Sequence, residues 1–125
     1  MMLNQAAMSK VSNHRVACVT GGAKRIGRAL VLALHQANYN IIIHYHTSES
    51  EAIELVDYCN AIRPQSAKSV QGDLEDFETL PQLTWRIINS FGRLDCLVHN
   101  VSRFYPTPFG QISQQDWQTL FLTNA

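Results

Sequence analysis

Residues 15–30 read RVACVTGGAKRIGRAL. Val16, Ala17, Cys18 and Val19 form a short apolar run closed by a turn signal, the pattern of a strand buried on both faces. Thr20 to Gly27 is the turn. Ile26, Ala29, Leu30, Ala33, Leu34 and Ala37 then recur at helical spacing, so a helix with one apolar stripe is expected to follow. A strand, a glycine turn and a helix N-terminus together make a phosphate site. The first free N–H groups point out of the helix end, and the macrodipole favours an anion there.

Gly21 permits the sharp exit from the strand, and Gly27 lets the helix lie close to the sheet. The usual dinucleotide fingerprint has glycine where Arg25 stands. An arginine beside a phosphate pocket can clamp a phosphate bidentately. A glycine motif alone is weak evidence, since many α/β proteins carry such a loop. Its place between a strand and an amphipathic helix favours a nucleotide.

The chain of 125 residues suffices for one domain with a core. Ten basic and ten acidic residues cancel, which gives no reason to expect nucleic acid or a membrane surface as partner. Any anion site must be local. Cys18, Cys59 and Cys96 lack metal-type spacing, and Cys18 and Cys96 sit in apolar runs as buried thiols would. An odd cysteine count and no signal-like N-terminus point to a reducing, cytoplasmic setting. Residues 1–13 read as a flexible tail, and residues 14–125 as a nucleotide-binding unit.

Downstream, Ile41 to His46 reads as a second buried strand. Thr47 and Ser48 offer hydroxyls to cap a helix starting near Glu49. Ala52, Leu55, Val56, Cys59 and Ile62 form its apolar face, and Pro64 stops it. Lys68 to Gln71 is a third strand, ending at Gly72-Asp73-Leu74. Pro81 fits the first turn of the next helix. Leu83, Ile87, Ile88 and Phe91 form its stripe, and Gly92 closes it. Leu94 to His99 is a fourth strand. A loop runs from Asn100 to Gly110, and Ser113 to Asp116 resembles a capping box before a helix bearing Trp117, Leu120 and Phe121. This alternation predicts an α/β fold: a Rossmann-like parallel sheet with helices on both faces, order 3-2-1-4, truncated after about four strands.

In an NAD-binding fold the second strand usually ends in an acid that holds the ribose 2′-hydroxyl. Here it ends in His46-Thr47-Ser48. The missing carboxylate, with Arg25 within reach, favours NADPH. His46 and Ser48 read equally as a strand end and a helix cap, and both roles are compatible. Asp73 follows the third strand at the same sheet edge, where it either contacts adenine or shapes a turn. Asn100 follows the fourth strand at that edge.

Together these residues resemble the short-chain dehydrogenase/reductase family. Thr20-Gly21-xxx-Arg25-Ile26-Gly27 matches its cofactor motif, and Asp73 and Asn100 match its adenine-contacting Asp and its post-strand Asn. Closer still is the similarity to pteridine reductases. It is carried by Lys24-Arg25, by His44-Tyr45-His46-x-Ser48 and by Ser102-x-Phe104-Tyr105-Pro106-Thr107-Pro108. The resemblance implies NADPH-dependent reduction of dihydropterin or dihydrofolate rings. It implies cofactor contacts from Gly21, Lys24, Arg25, Ile26, Gly27, His46, Thr47, Ser48, Asp73, Leu74, Asn100, Val101 and Ser102. Arg25, Ser102 and Phe104 would hold the pterin, with Phe104 stacked on its face against the nicotinamide. Asn124 matches the family's proton-relay Asn.

There are departures. Thr47 stands where an Arg often follows the His, and His99-Asn100-Val101 replaces Asn-Asn-Ala. The family's Tyr-xxx-Lys pair does not occur in the sequence. The chain therefore reads as the N-terminal half of such a reductase, and little turnover is expected from these residues alone. Full-length relatives are expected to be tetramers. Another short-chain reductase, such as a 3-oxoacyl carrier-protein reductase, or a non-catalytic nucleotide-binding module remain the alternatives.

Overall fold

The apolar run after Arg15 forms strand β1, Val16–Val19, with all four residues buried. In this computed structural model, residues 11–100 are described. Helix α1 spans Arg25–Gln36, β2 Asn40–Tyr45, α2 Glu49–Ile62 and β3 Ala67–Gln71. Then come α3, Leu80–Phe91, and β4, Cys96–Val98. The strands pair in parallel in the order β3-β2-β1-β4, as expected. The expected loop and helix beyond Asn100 lie outside the described residues, as do Val101, Ser102, Phe104 and Asn124.

The two central strands are covered on both sides, so they need apolar side chains throughout. Ala17, Val19, Ile41 and Ile43 face α1 and α2, packing with Val31, Leu55 and Cys59. Val16, Cys18 and Ile42 face α3, packing with Leu83, Ile87 and Phe91. Ile41, Ile42 and Ile43 are fully buried, each stabilising the fold by roughly 1.5–3 kcal/mol.

Several expectations shift. The buried stripe of α1 is Gly27, Val31 and His35, with Leu30 and Leu34 partly buried. Ile26, Ala29, Ala33 and Ala37 are exposed. The helix is rotated by about one residue from the expected phase because Gly27 is the point of closest approach. On α2 and α3, Ile62 and Ile88 lie off the buried stripes and are exposed. Ser48 occupies the N-cap of α2 but makes no capping side-chain bond. Cys96 is half-buried, on a strand that among the described residues has a neighbour on one side only.

Pro81 lies in the first turn of α3, and Gly92 ends it in the left-handed conformation at φ 76°. The expected boundary at residue 13 falls inside a bonded segment. Ser12 donates from its N–H to the Phe91 carbonyl at 2.9 Å, and its hydroxyl accepts from Asn40 at 2.9 Å.

Candidate functional site

Parallel strands point all their carboxyl ends the same way, so the residues leaving them gather at one edge. There lies a cavity of about 650 Å³ against the N-terminus of α1. Gly21, Lys24, Arg25 and Ile26 line it from the first turn. His46, Thr47 and Ser48 line it from the end of β2, Asp73 and Leu74 from the end of β3, and Asn100 from beyond β4. Of the candidate cofactor residues that are described, Gly27 alone does not form the wall.

Gly27 acts one layer behind the wall. A Cβ placed there would stand 2.1 Å from the Gly21 carbonyl oxygen and 2.8 Å from Asn100 Nδ2. Only a hydrogen fits between the helix and the turn. Asn100 in turn pins that turn: its Nδ2 donates to the Gly21 carbonyl at 3.3 Å, and its N–H donates to Thr20 Oγ1 at 2.8 Å.

The end of α1 is open. Lys24, at the N-cap, makes no capping bond, and the first turn holds no acid. The first helical bond runs from the Arg28 N–H to the Lys24 carbonyl, which leaves the N–H groups of Arg25, Ile26 and Gly27 without helical acceptors. Arg25 is exposed, and among the described residues no acid pairs with it. Lys24 lies 3.8 Å from Glu51, both about half exposed. A pair so placed contributes at most about 1 kcal/mol, so it does not keep Lys24 from an incoming phosphate. Ile26 is 70% exposed at the mouth of the cavity, an apolar surface beside the charged turn.

Arg25 is also strained. Its φ is 55°, in the left-handed region. That is the conformation glycine adopts freely and L-residues adopt at a cost of roughly 1–2 kcal/mol. The glycine of the usual fingerprint is thereby explained, and so is the oddity of an arginine. Strain retained at a pocket lip suggests a function for the side chain.

Of the two roles foreseen for Asp73, the turn is the one seen. One carboxylate oxygen accepts from the Glu75 N–H at 2.9 Å, shaping the turn. The other faces His46 Nε2 at 3.8 Å across the cavity. No carboxylate stands at the end of β2, where Tyr45, His46, Thr47 and Ser48 line the wall.

His44 stands in the motif His44-Tyr45-His46-x-Ser48, which assigns it no role of its own. It is buried, yet it reaches the cavity wall. Its Nδ1 accepts from the Gly21 N–H at 3.2 Å, and its Nε2 bonds the Gly72 carbonyl at 2.8 Å. The only sequence signal was a polar residue at a position where the strand should be buried on both faces. Burial is the main force holding its proton affinity below the usual 6.5. The Gly72 bond opposes this, and His46, His99 and Arg86 add to it. Cys18 is chemically quiet, its thiol pushed up to about 12 by burial. Among the described residues, no cluster of His, Cys, Asp or Glu could hold a metal ion. No described helix is long and apolar enough to cross a membrane.

The residues around the cavity suit a dinucleotide: free N–H groups and cations for a diphosphate, and an apolar lip for a ring. Pteridine reductase 1 of Leishmania tarentolae is 39% identical over 74% of this chain and 38% of its own length. A hydroxynaphthalene reductase of Aspergillus fumigatus is 32% identical over 89% of the chain and 40% of its own length. A 3-oxoacyl-[acyl-carrier-protein] reductase of Staphylococcus aureus is 27% identical over 86% of the chain and 44% of its own length. The chain thus spans less than half the length of these relatives. The profile of the short chain dehydrogenases matches residues 15–125, from the first strand through the last residue, and the chain belongs to that family.

Proposed function

We propose that this chain forms the cofactor half-site of an NADPH-dependent pteridine reductase. The observation that carries the cofactor assignment is the uncapped N-terminus of α1, flanked by Arg25, which no acid among the described residues pairs with, and facing a β2 end without a carboxylate. The helix N–H groups and Arg25 would take the diphosphate. Lys24, His46, Thr47 and Ser48 would surround the 2′-phosphate. Asp73 and Leu74 would meet the adenine. When bound, NADPH supplies the hydride. The chain's task is to hold the nicotinamide against a flat substrate ring.

The pterin assignment is supported by the similarity to the Leishmania enzyme and by the run Ser102 to Pro108. Phe104 would stack on the pterin, and Arg25 and Ser102 would bond its polar edge. Val101 would continue the cofactor contacts, and Asn124 would serve the proton relay.

Calorimetric titration tests both parts. NADPH should bind at least about tenfold tighter than NADH, the worth of roughly 1.4 kcal/mol of charge-assisted contact to one phosphate. Equal affinities, or a preference for NADH, would defeat the cofactor assignment. Phe104→Ala should weaken dihydrobiopterin binding about tenfold while NADPH binding stays unchanged. An unchanged pterin affinity would defeat the substrate assignment.

A further inference from the structure

His44 grips two corners of the cavity at once. Its ring accepts from the Gly21 N–H through Nδ1, so Nε2 must carry the proton and donate to the Gly72 carbonyl. Its backbone carbonyl accepts from the Gly22 N–H at 3.0 Å. Two successive N–H groups of the glycine turn are therefore held by one residue of β2. Neither is free for a phosphate; what His44 controls is the attitude of the turn that presents the next ones. At the other corner the Gly72 N–H donates to the Tyr45 carbonyl at 3.0 Å, which ties Gly72 to the end of β2. The ring thus braces the glycine turn against a bonded neighbour.

We propose that His44 is a positioning residue for the cofactor diphosphate, and that only its neutral, Nε2-protonated ring can hold the glycine turn in its binding geometry. The inference rests on the nucleotide-binding reading of this cavity. A proton on Nδ1 turns an acceptor into a donor facing the Gly21 N–H, and that bond is lost. The groups facing the ring are His46 just past β2, Arg86 on α3 and His99 after β4, with Asp73 next to Gly72 beyond β3. Burial first, and these three bases after it, oppose a positive ring; the Gly72 bond acts the other way. Acid should release the turn and weaken any ligand that uses it, whether or not that ligand carries a 2′-phosphate.

The test is a pH series of NADH and NADPH affinities by titration, on the chain as it stands and on His44→Asn. The Asn oxygen can still accept from Gly21 but does not titrate. Both affinities of the unaltered chain should hold through pH 6.5 and fall together only in more acid solution, where the lowered His44 takes up its proton, by up to about tenfold per pH unit. NADH affinity of the Asn variant should be flat over the same range. A fall confined to NADPH would place the titration at His46 or the 2′-phosphate and overturn the proposal, as would an Asn variant with the original profile.

Amide exchange of Gly21 in the ligand-free chain gives a second readout. Corrected for intrinsic rate, its protection in the unaltered chain should drop in acid, at a pH lower than the usual histidine 6.5. Constant protection would overturn the proposal even if the variant does not fold. A chain that binds neither nucleotide, yet loses Gly21 protection in acid, would refute the cofactor assignment while sustaining the brace.

Discussion

At the scale of single residues, Arg25 shows a conflict between stability and function. Its left-handed backbone disfavours every side chain, while its guanidinium springs from the first residue of the open helix end. Replacing it separates the two effects. Arg25→Gly and Arg25→Ala should both weaken NADPH binding about tenfold or more, because both lose the cation. In urea denaturation, however, the Gly variant should be more stable than the Ala variant by about 1 kcal/mol, because only glycine escapes the left-handed cost. Equal stabilities would show that the backbone there is unstrained. The identity of most wall residues was legible in the sequence, since Lys24, Arg25, His46, Ser48, Asp73 and Asn100 each follow a strand or turn that could be recognised. The role of His44 was not. Its bonds to Gly21 and Gly72 join segments 23 and 28 residues away, and no local pattern encodes such a join.

At the scale of elements, the phase of α1 is set by the glycine that touches the sheet side. Apolar periodicity alone favours Ile26, Leu30, Leu34 and the alanines, and the small alanines carry little information about which way a helix faces. Contact at Gly27 rotates the helix so that Val31 and His35 turn inward and Ile26 turns to the cavity mouth. Gly27→Ala should therefore destabilise the fold by about 2 kcal/mol in urea denaturation, through a clash with the Gly21 backbone that cannot relax cheaply. Helix propensity would predict the opposite sign, a gain of about 1 kcal/mol. A variant as stable as the original would mean that helix and turn are less closely packed. The bare N-cap of α2 fits the same theme. The Ser48 hydroxyl, unengaged with its helix, lies on the cavity wall, where a ligand can use it.

At the scale of the whole molecule, order and direction of the strands followed from alternation and connection rules, so the sheet was legible in advance. Its polar interior was not. His35 is buried on α1, with Nε2 2.6 Å from Ser66 Oγ. Burial first, and Arg63 second, lower its proton affinity below the usual 6.5. His44 is shifted the same way, again chiefly by burial. The unfolded chain then binds protons that the folded chain refuses, so stability is full above pH 6.5 and declines as the pH falls below it toward the lowered values. The urea midpoint should drop between about pH 7 and pH 5.5, and His35→Gln should flatten that drop. A midpoint constant across this range would mean that neither histidine is held neutral by the fold. The sheet order bears on the making of the protein as well. β1 lies between a partner that follows it closely, β2, and one some eighty positions later, β4, whose end supplies the bonds from Asn100 to Thr20 and Gly21. On a ribosome, β1, β2 and β3 can assemble while the chain is still emerging, but the glycine turn gains its clasp from Asn100 only once that residue has left the exit tunnel.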